Sequence, residues 1–312
     1  MKENPLVSIG VVTYNAEEFI QETLDSIFNQ TYKNIELIVA DDNSTDKTVE
    51  LARKWFERKG CRFNGYKLLT SSSNTGVSGN SNRALRAANG EWYKCFDGDD
   101  LMTPNAITDY VDYVNKYPQV EMVMANVCAY SCKGVVQLLP IPLMKLFFSE
   151  KCTATKQASI ISKRIIGYSQ GFFVKTSVIK EEGGFDERFP YIEDYPLFIK
   201  LINKGHKMFF MNEITAEYRT VDTSISRSKQ DSSIFSNSIV RCTKEYRYNY
   251  QREYLSPLWK RLLDFSIFLK CRIIDSGNTY ASFKCRLYYR MFKILDPFFF
   301  YRKYTNLLNL FS

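Results

Sequence analysis

Glu91-Trp92-Tyr93-Lys94-Cys95-Phe96-Asp97-Gly98-Asp99-Asp100 is a short, largely aromatic and apolar run that stops on three carboxylates. A run of this length bounded by a turn predicts a buried strand over 91–96, with the acids at its C-terminal end. The same plan occurs twice upstream. Residues 35–40 are an apolar run ending at Asp41-Asp42, and residues 7–12 are another ending at Thr13-Tyr14-Asn15. Helical periodicity fills the gaps. Phe19, Ile20, Leu24, Ile27 and Phe28 share one face over 16–29, with Glu17 and Glu18 in the first turn, where the helix dipole favours them. Val49, Leu51, Ala52, Trp55 and Phe56 turn inward over 45–58. A third strand follows at 66–69, then a Ser/Asn/Gly loop over 71–79 and a helix over 80–88. Pro104 opens a helix to 116, residues 120–130 read as a fifth strand, and a helix over 193–204 follows the turn Gly183-Gly184-Phe185-Asp186.

Strands alternating with helices at this spacing predict an α/β fold with a mostly parallel central sheet and helices on both faces. Right-handed crossovers align the strands, so their C-terminal ends share one edge. Open α/β sheets bind ligands at that edge, and all three polar strand ends fall on it. Residues 135–170 are less regular, with 153–168 reading as a mobile segment. From about 231 the pattern becomes helical, broken at Pro257, Gly277 and Pro297. The expected division is an α/β domain over 1–230 and a C-terminal helical extension over 231–312.

Charge follows the same division. Residues 231–312 hold 14 Lys/Arg against 6 Asp/Glu and carry the whole net charge of +8, interleaved with aromatic rings. Cations mixed with rings suit an anionic membrane surface. The alternative is a helical subdomain packing on the core or on a second copy. No nucleic-acid-binding module is recognisable. The eight cysteines form no C-x-x-C pair, so neither a zinc site nor a disulfide framework is expected, and a reduced, cytoplasmic compartment is the simplest reading. The opening residues lack the apolar core of a signal peptide, and no run of about 18 apolar residues predicts a membrane span. The single histidine, His206, argues against a multi-histidine metal site and reads as a surface residue.

Three carboxylates within four residues repel one another unless a cation or donors compensate. Asp97, Asp99 and Asp100 therefore suit a hard divalent metal, which takes carboxylate oxygens and can bridge to a diphosphate. A turn capped by aspartates is the alternative. Asp42-Asn43-Ser44 can cap the following helix, while the other aspartate is free to accept from a nucleobase or ribose. The glycines of 74–80 allow close approach to phosphate or ribose, although no P-loop lysine follows. Glu193-Asp194 heads a helix, either as dipole partners or with one acid as a general base.

In order along the chain, Thr13-Tyr14-Asn15, Asp41-Asp42-Asn43-Ser44-Thr45-Asp46, Asn74-x-Gly76, Asn82, Gly90, Asp97-Gly98-Asp99-Asp100, Gly183-Gly184-Phe185-Asp186, Glu193-Asp194, Tyr218-Arg219 and Ser224-x-Ser226 resemble the motifs of the inverting family 2 glycosyltransferases with a GT-A fold. The resemblance spans about 7–226. It implies transfer of a sugar from a nucleotide-sugar donor, usually a UDP-sugar, to a saccharide or lipid-linked saccharide hydroxyl, in bacterial surface polysaccharide synthesis. It places the base at Asp41 or Asp42, with Thr13, Tyr14, Asn15, Asn74, Gly76 and Asn82 also on the donor. Asp99 is the implied main ligand of Mn²⁺ or Mg²⁺, and Asp97 holds ribose or metal-bound water. Asp194 is the implied catalytic base, beside Glu193. Tyr218, Arg219 and Ser224 are placed on a loop closing over the diphosphate. Ser81 stands where the family often has arginine, and Val221 where it commonly has histidine. A sugar-nucleotide nucleotidyltransferase shares an acidic metal site, but 10–15 lacks that class's Gly-rich, basic opening. A non-catalytic nucleotide-sugar-binding scaffold is the other alternative; the complete acidic set speaks against it.

Overall fold

The computed structural model describes residues 4–131, 134–138, 142–163, 166–219, 233–234 and 252–301. The chain divides into two compact units, Met1–Leu139 with Gly167–Thr220, and Pro140–Ile166 with Val221–Ser312.

The first unit is built on one sheet. Its strands are β1 (Val7–Thr13), β2 (Ile35–Asp41), β3 (Gly65–Thr70), β4 (Trp92–Asp97), β5 (Leu101–Met102), β6 (Met122–Ser131), β7 (Gly134–Leu138), β8 (Phe172–Lys175) and β9 (Met208–Arg219). Their order is β3-β2-β1-β4-β8-β6-β9-β5, with β7 on β6. β1, β2, β3 and β4 pair in parallel, as do β6 and β9. β8 runs antiparallel between β4 and β6. Two reversals restore direction, so β6 and β9 point the same way as β1 to β4, and their C-terminal ends share one edge.

β1 shows why this sheet is covered on both faces. Val7, Ile9 and Val11 alternate into a core with Ile20, Leu24 and Ile27 of α1 (Ile20–Phe28), Ala52, Trp55 and Phe56 of α2 (Thr48–Lys59), and Ile107 and Tyr110 of α4 (Ala106–Lys116). A strand buried on both faces reads as a continuous apolar run. Gly10 points to the other face. A methyl there would lie 2.3 Å from the Tyr93 hydroxyl and 3.0 Å from Ala84, so glycine is what lets α3 (Gly76–Ala87) lie close. Truncating a core ring such as Trp55 to alanine costs about 3–5 kcal/mol.

The sequence reading missed β8 and β9, and the stretch read as mobile contains α6 (Ala154–Ile161), which follows α5 (Pro142–Phe147). α7 (Thr176–Glu181) and α8 (Asp194–Asn203) complete the first unit's helices among the described residues. His206 lies at the far edge of the sheet, its Nδ1 2.7 Å from Glu121 Oε2.

In the second unit α9 (Pro257–Asp275) pairs with α10 (Phe283–Leu295). Proline opens α9, where its missing N–H costs nothing, and Ser282 caps α10 by accepting from Cys285 N. Leu263, Ile267, Leu255 and Phe298 form one small core, and Ile273, Leu269, Cys285 and Phe292 another. Among the cations and rings that the sequence places in the extension, Lys270, Phe298 and Trp259 turn toward the helices rather than outward. Lys270 is buried with its ammonium over the Phe292 ring. Phe298 is buried, and Trp259 packs on Phe298 and Tyr301 beneath Lys163. Tyr246, Tyr248 and Tyr250 lie outside the described residues. Among the described residues no helix is long and apolar enough to cross a membrane.

Candidate active site

The C-terminal edge of the sheet gathers the acids. β4 delivers Asp97, Asp99 and Asp100, which each offer an oxygen within 4.8 Å of the others. Asp100 is buried; its Oδ1 accepts from the Arg219 backbone N–H at 2.8 Å, the Gln170 amide lies near enough to favour its charged form, and its Oδ2 makes no hydrogen bond of good geometry. Burial raises the Asp97 carboxyl to about 7, with the charge of Asp99 adding to the effect. Burial, then Asp97 and Asp99, raise Asp100 to about 9. Asp99 is raised by burial, against the pull of Arg219. An unsatisfied carboxylate oxygen inside a cluster of mutually repelling, all-oxygen donors fits a divalent cation.

Glu193 and Asp194 reach the same place from the start of α8. Both carboxyls are raised, chiefly by burial, and each interacts electrostatically with Asp97. Asp194 accepts from the Tyr195 N–H at 2.6 Å. A hydrogen bond with Ser169 meets Glu193. Asp194 also lines a narrow cavity with Tyr93, Cys95, Ser169 and Phe198. The two acidic motifs, almost a hundred residues apart in sequence, therefore form one site.

The other residues expected at the donor also make contacts within the protein. Asp41 accepts from Ser44 N at 2.9 Å and Ser44 Oγ at 2.5 Å, holding its own turn. Asp42 accepts from Thr75 N at 2.9 Å, Thr75 Oγ1 at 2.7 Å and Gly76 N at 2.7 Å, and Arg83 lies 3.5 Å away. The anion at the start of α3 is thus the protein's own carboxylate. α3 begins at Gly76, four residues before the predicted start. Gly76 has φ +80°, and a methyl there would meet the Pro190 carbonyl oxygen at 2.4 Å. Asn74 Oδ1 also accepts from Gly76 N. Asn82 is buried and bonds the Phe185 backbone in both directions, at 2.8 Å each, with Glu187 as a third partner. It braces the Gly183-Gly184-Phe185 turn. Asn15, at φ 49°, accepts from Thr45 N and donates its own N–H to Ser44 Oγ. Tyr14 is exposed, while Thr13 is buried with an unpartnered Oγ1 beside Gly98.

Tyr218 and Arg219 are not on a loop. They end β9, and the Arg219 guanidinium donates to the Asp99 carbonyl at 2.9 Å and to Glu22 at 2.6 Å. Arg219 thus fastens the acidic turn from the neighbouring strand. Ser224 and Val221 lie outside the described residues.

Two residues missed in the sequence bear on the site. Gln170 donates to Asp97 Oδ2 at 2.7 Å. Lys94 is fully buried on β4. Burial pushes its ammonium down to about 7, while the charges of Asp97 and Asp100 pull the other way. A lysine inside an apolar strand was visible in the sequence; a lone glutamine in an irregular stretch carried no signal.

Comparison with known proteins agrees with this geometry. The sequence model of glycosyl transferase family 2 matches residues 8–176. The chain is 29% identical over 230 residues to the putative teichuronic acid biosynthesis glycosyltransferase TuaG of Bacillus subtilis, covering 72% of this chain and 83% of that protein. It is 29% identical over 227 residues to the UDP-Glc:alpha-D-GlcNAc-diphosphoundecaprenol beta-1,3-glucosyltransferase WfaP of Escherichia coli, covering 72% and 81%. The crystal structure of S. aureus TarS 1–349 in complex with UDP-GlcNAc superposes with a TM-score of 0.63 at 18% identity, covering 94% of this chain and 82% of that one. At that identity the likeness establishes the fold.

Proposed function

The chain belongs to glycosyl transferase family 2, with the GT-A fold, and we propose that it transfers sugar from a UDP-sugar to an acceptor hydroxyl with inversion. The observation that carries this reading is the meeting of Asp97, Asp99 and Asp100 with Glu193 and Asp194 at one sheet edge. Asp99 and Asp97, with Asp100 behind them, would hold Mn²⁺ or Mg²⁺. When bound, the cation supplies positive charge to the leaving diphosphate, a contribution of several kcal/mol. Asp194 takes the proton of the acceptor hydroxyl as that oxygen attacks the anomeric carbon from the side opposite the diphosphate. Arg219 and Gln170 keep the carboxylates in place. Asp41 and Asp42 shape the edge where the nucleobase would lie, Asp42 by fixing the start of α3.

The acceptor we infer is a saccharide or lipid-linked saccharide in surface polysaccharide synthesis. TuaG and WfaP, named for such substrates or pathways, support that class. Attachment to the inner face of the plasma membrane through the basic, aromatic extension would bring a lipid-linked acceptor within reach.

Thermal unfolding with UDP- and GDP-sugars, each with and without Mn²⁺, tests the donor site. A ligand at 100 times its Kd adds about 2.7 kcal/mol. The expected result is stabilisation by a UDP-sugar that needs Mn²⁺ and disappears in Asp99→Asn. Equal stabilisation with and without metal, unchanged in Asp99→Asn, would refute the metal-bound donor.

A further inference from the structure

The turn at residues 169–172 is held in an unusual way. Four consecutive backbone carbonyls accept from buried side chains. Lys94 Nζ donates to Ser169 O at 3.2 Å, Gln170 O at 2.5 Å and Phe172 O at 3.0 Å. Tyr110 Oη donates to Gly171 O at 2.7 Å. An ammonium has three N–H donors, and here each has a carbonyl. Lys94 is placed by β4, paired in register with Ile9 on β1, three residues before Asp97 on the same strand. The strand that carries the acidic cluster therefore also grips the turn opposite it.

The turn's own side chains reach the two halves of the site. Gln170 Nε2 donates to Asp97 Oδ2 at 2.7 Å, the same amide also acts on Asp100, and Ser169 bonds Glu193. Gln170 is buried. Its amide satisfies one oxygen of Asp97 and fixes the plane of that carboxylate. A loose carboxylate among repelling neighbours would rotate away from them; one tied on Oδ2 cannot turn freely, and its other oxygen stays available to a ligand.

We propose that Gln170, locked in place by Lys94, is a positioning residue for Asp97: it occupies one carboxylate oxygen and reserves the other for the divalent cation. The proposal rests on reading the aspartate triad as a cation site. Partners of metal-binding carboxylates typically change affinity by about 10–100-fold when lost.

The test is Mn²⁺ affinity of the full chain, read from the electron paramagnetic resonance signal of free Mn²⁺ in the presence of UDP. Gln170→Met keeps the volume and removes the donor. It should weaken Mn²⁺ binding by about 10–100-fold. In an Asp97→Asn background most of that loss should disappear, because neighbours acting through one group are non-additive; only the smaller part exerted through Asp100 should remain. Lys94→Met should weaken Mn²⁺ in the same direction; if that variant fails to fold, the Gln170 and Asp97 cycle still decides. Mn²⁺ binding that is lost in Asp99→Asn but unchanged in Gln170→Met overturns the positioning role alone. So does an undiminished Gln170→Met effect in the Asp97→Asn background, which would mean that Gln170 acts elsewhere. A wild-type chain that binds no Mn²⁺ with UDP overturns the cation site itself, and this inference with it.

Discussion

Glu193 and Asp194 stand side by side at the start of α8, and the reaction proposed above needs one base. Glu193 is pushed well up, first by burial and then by Asp194 and Asp97. Both effects favour its protonated form. Asp194 is raised mainly by burial, and hydrogen bonds to its charged form, including that from Tyr195 N–H, hold the rise down. A base works best with its pKa near the working pH. Asp194→Asn should therefore cut transfer by about 10²-fold or more while leaving UDP binding intact. Glu193→Gln, which imitates the protonated acid, should retain most activity. Steady-state kinetics on the two variants decides, and the opposite ranking would move the base to Glu193. At this scale the acidic residues were legible because three carboxylates in four positions have few structural explanations. Asn82, Asn15 and Asp42 were not. A polar residue at a sheet edge looks the same in sequence whether it meets a ligand or braces a neighbouring loop. The partner that the structure gives Asn82, Phe185, is 103 positions away.

β1, β2 and β4 could be read because strands buried on both faces stay largely apolar, with Ser8, Glu36 and Lys94 as single interruptions. β9 could not. Its exposure follows no alternation, and its register against β6 shifts at Ala125, Asn126 and Val127; an irregularity of this kind breaks the two-residue period that marks a strand. The first turn of α3 was read as loop because its cap, Asp42, comes from another strand. The helices of the extension were marked by their proline and glycine breaks, yet which side chains face outward required the structure. On α9, Leu258, Arg261, Phe265, Phe268 and Arg272 recur at alternating spacings of three and four and are all exposed. On α10, Phe283, Leu287, Arg290 and Ile294 do the same. Each is one stripe of the helix, with arginines set among apolar side chains. We propose that these stripes meet anionic lipid. Each cation near such a surface contributes about 1 kcal/mol, and the attraction fades as the Debye length falls from about 10 Å at 0.1 M salt to about 3 Å at 1 M. Full-length protein should co-sediment with phosphatidylglycerol vesicles at low salt, and not with phosphatidylcholine. Glu at positions 260, 261 and 272, replacing Lys260, Arg261 and Arg272, should abolish this without affecting UDP binding. Lys270 is left out because it is buried. Indifference of the wild-type chain to phosphatidylglycerol would instead make the stripes an oligomer contact.

Gathering five acids at one edge has a consequence for the stability of the whole molecule. Without metal, Asp97 titrates at about 7 and Asp100 at about 9 in the folded chain, whereas an unfolded aspartate titrates near 4. Asp99, Glu193 and Asp194 are raised as well. Between about pH 4 and 7 the folded chain therefore binds protons that the unfolded chain has released. Stability falls with rising pH wherever the folded state binds more protons. Asp109 is raised too, by burial and its acidic neighbours, while the carboxylates that are lowered act with the opposite sign, but elsewhere. Glu36, Asp46 and Asp186 are lowered despite burial, by hydrogen bonds and nearby cations, so their contribution is complete above the ordinary carboxylate range and is lost only below it. Lys94, depressed to about 7, also opposes the acids, since above that pH the unfolded chain holds the proton that the folded chain loses. Its effect begins where the window ends. With a single histidine in the chain, pH 5 to 7 belongs chiefly to the acidic cluster. The metal-free protein should show a melting temperature that falls across this range. Saturating Mn²⁺ should flatten or reverse the slope, because a cation binds the deprotonated carboxylates and its affinity grows as they ionise. Asp97→Asn should flatten the metal-free slope by removing one of the titrating groups. Calorimetry of the metal-free, Mn²⁺-loaded and Asp97→Asn proteins at pH 5, 6 and 7 measures all three. A metal-free melting temperature that rises over the range, with the same slope in Asp97→Asn, would show that the acids ionise without penalty and that the edge holds no charge in need of a cation.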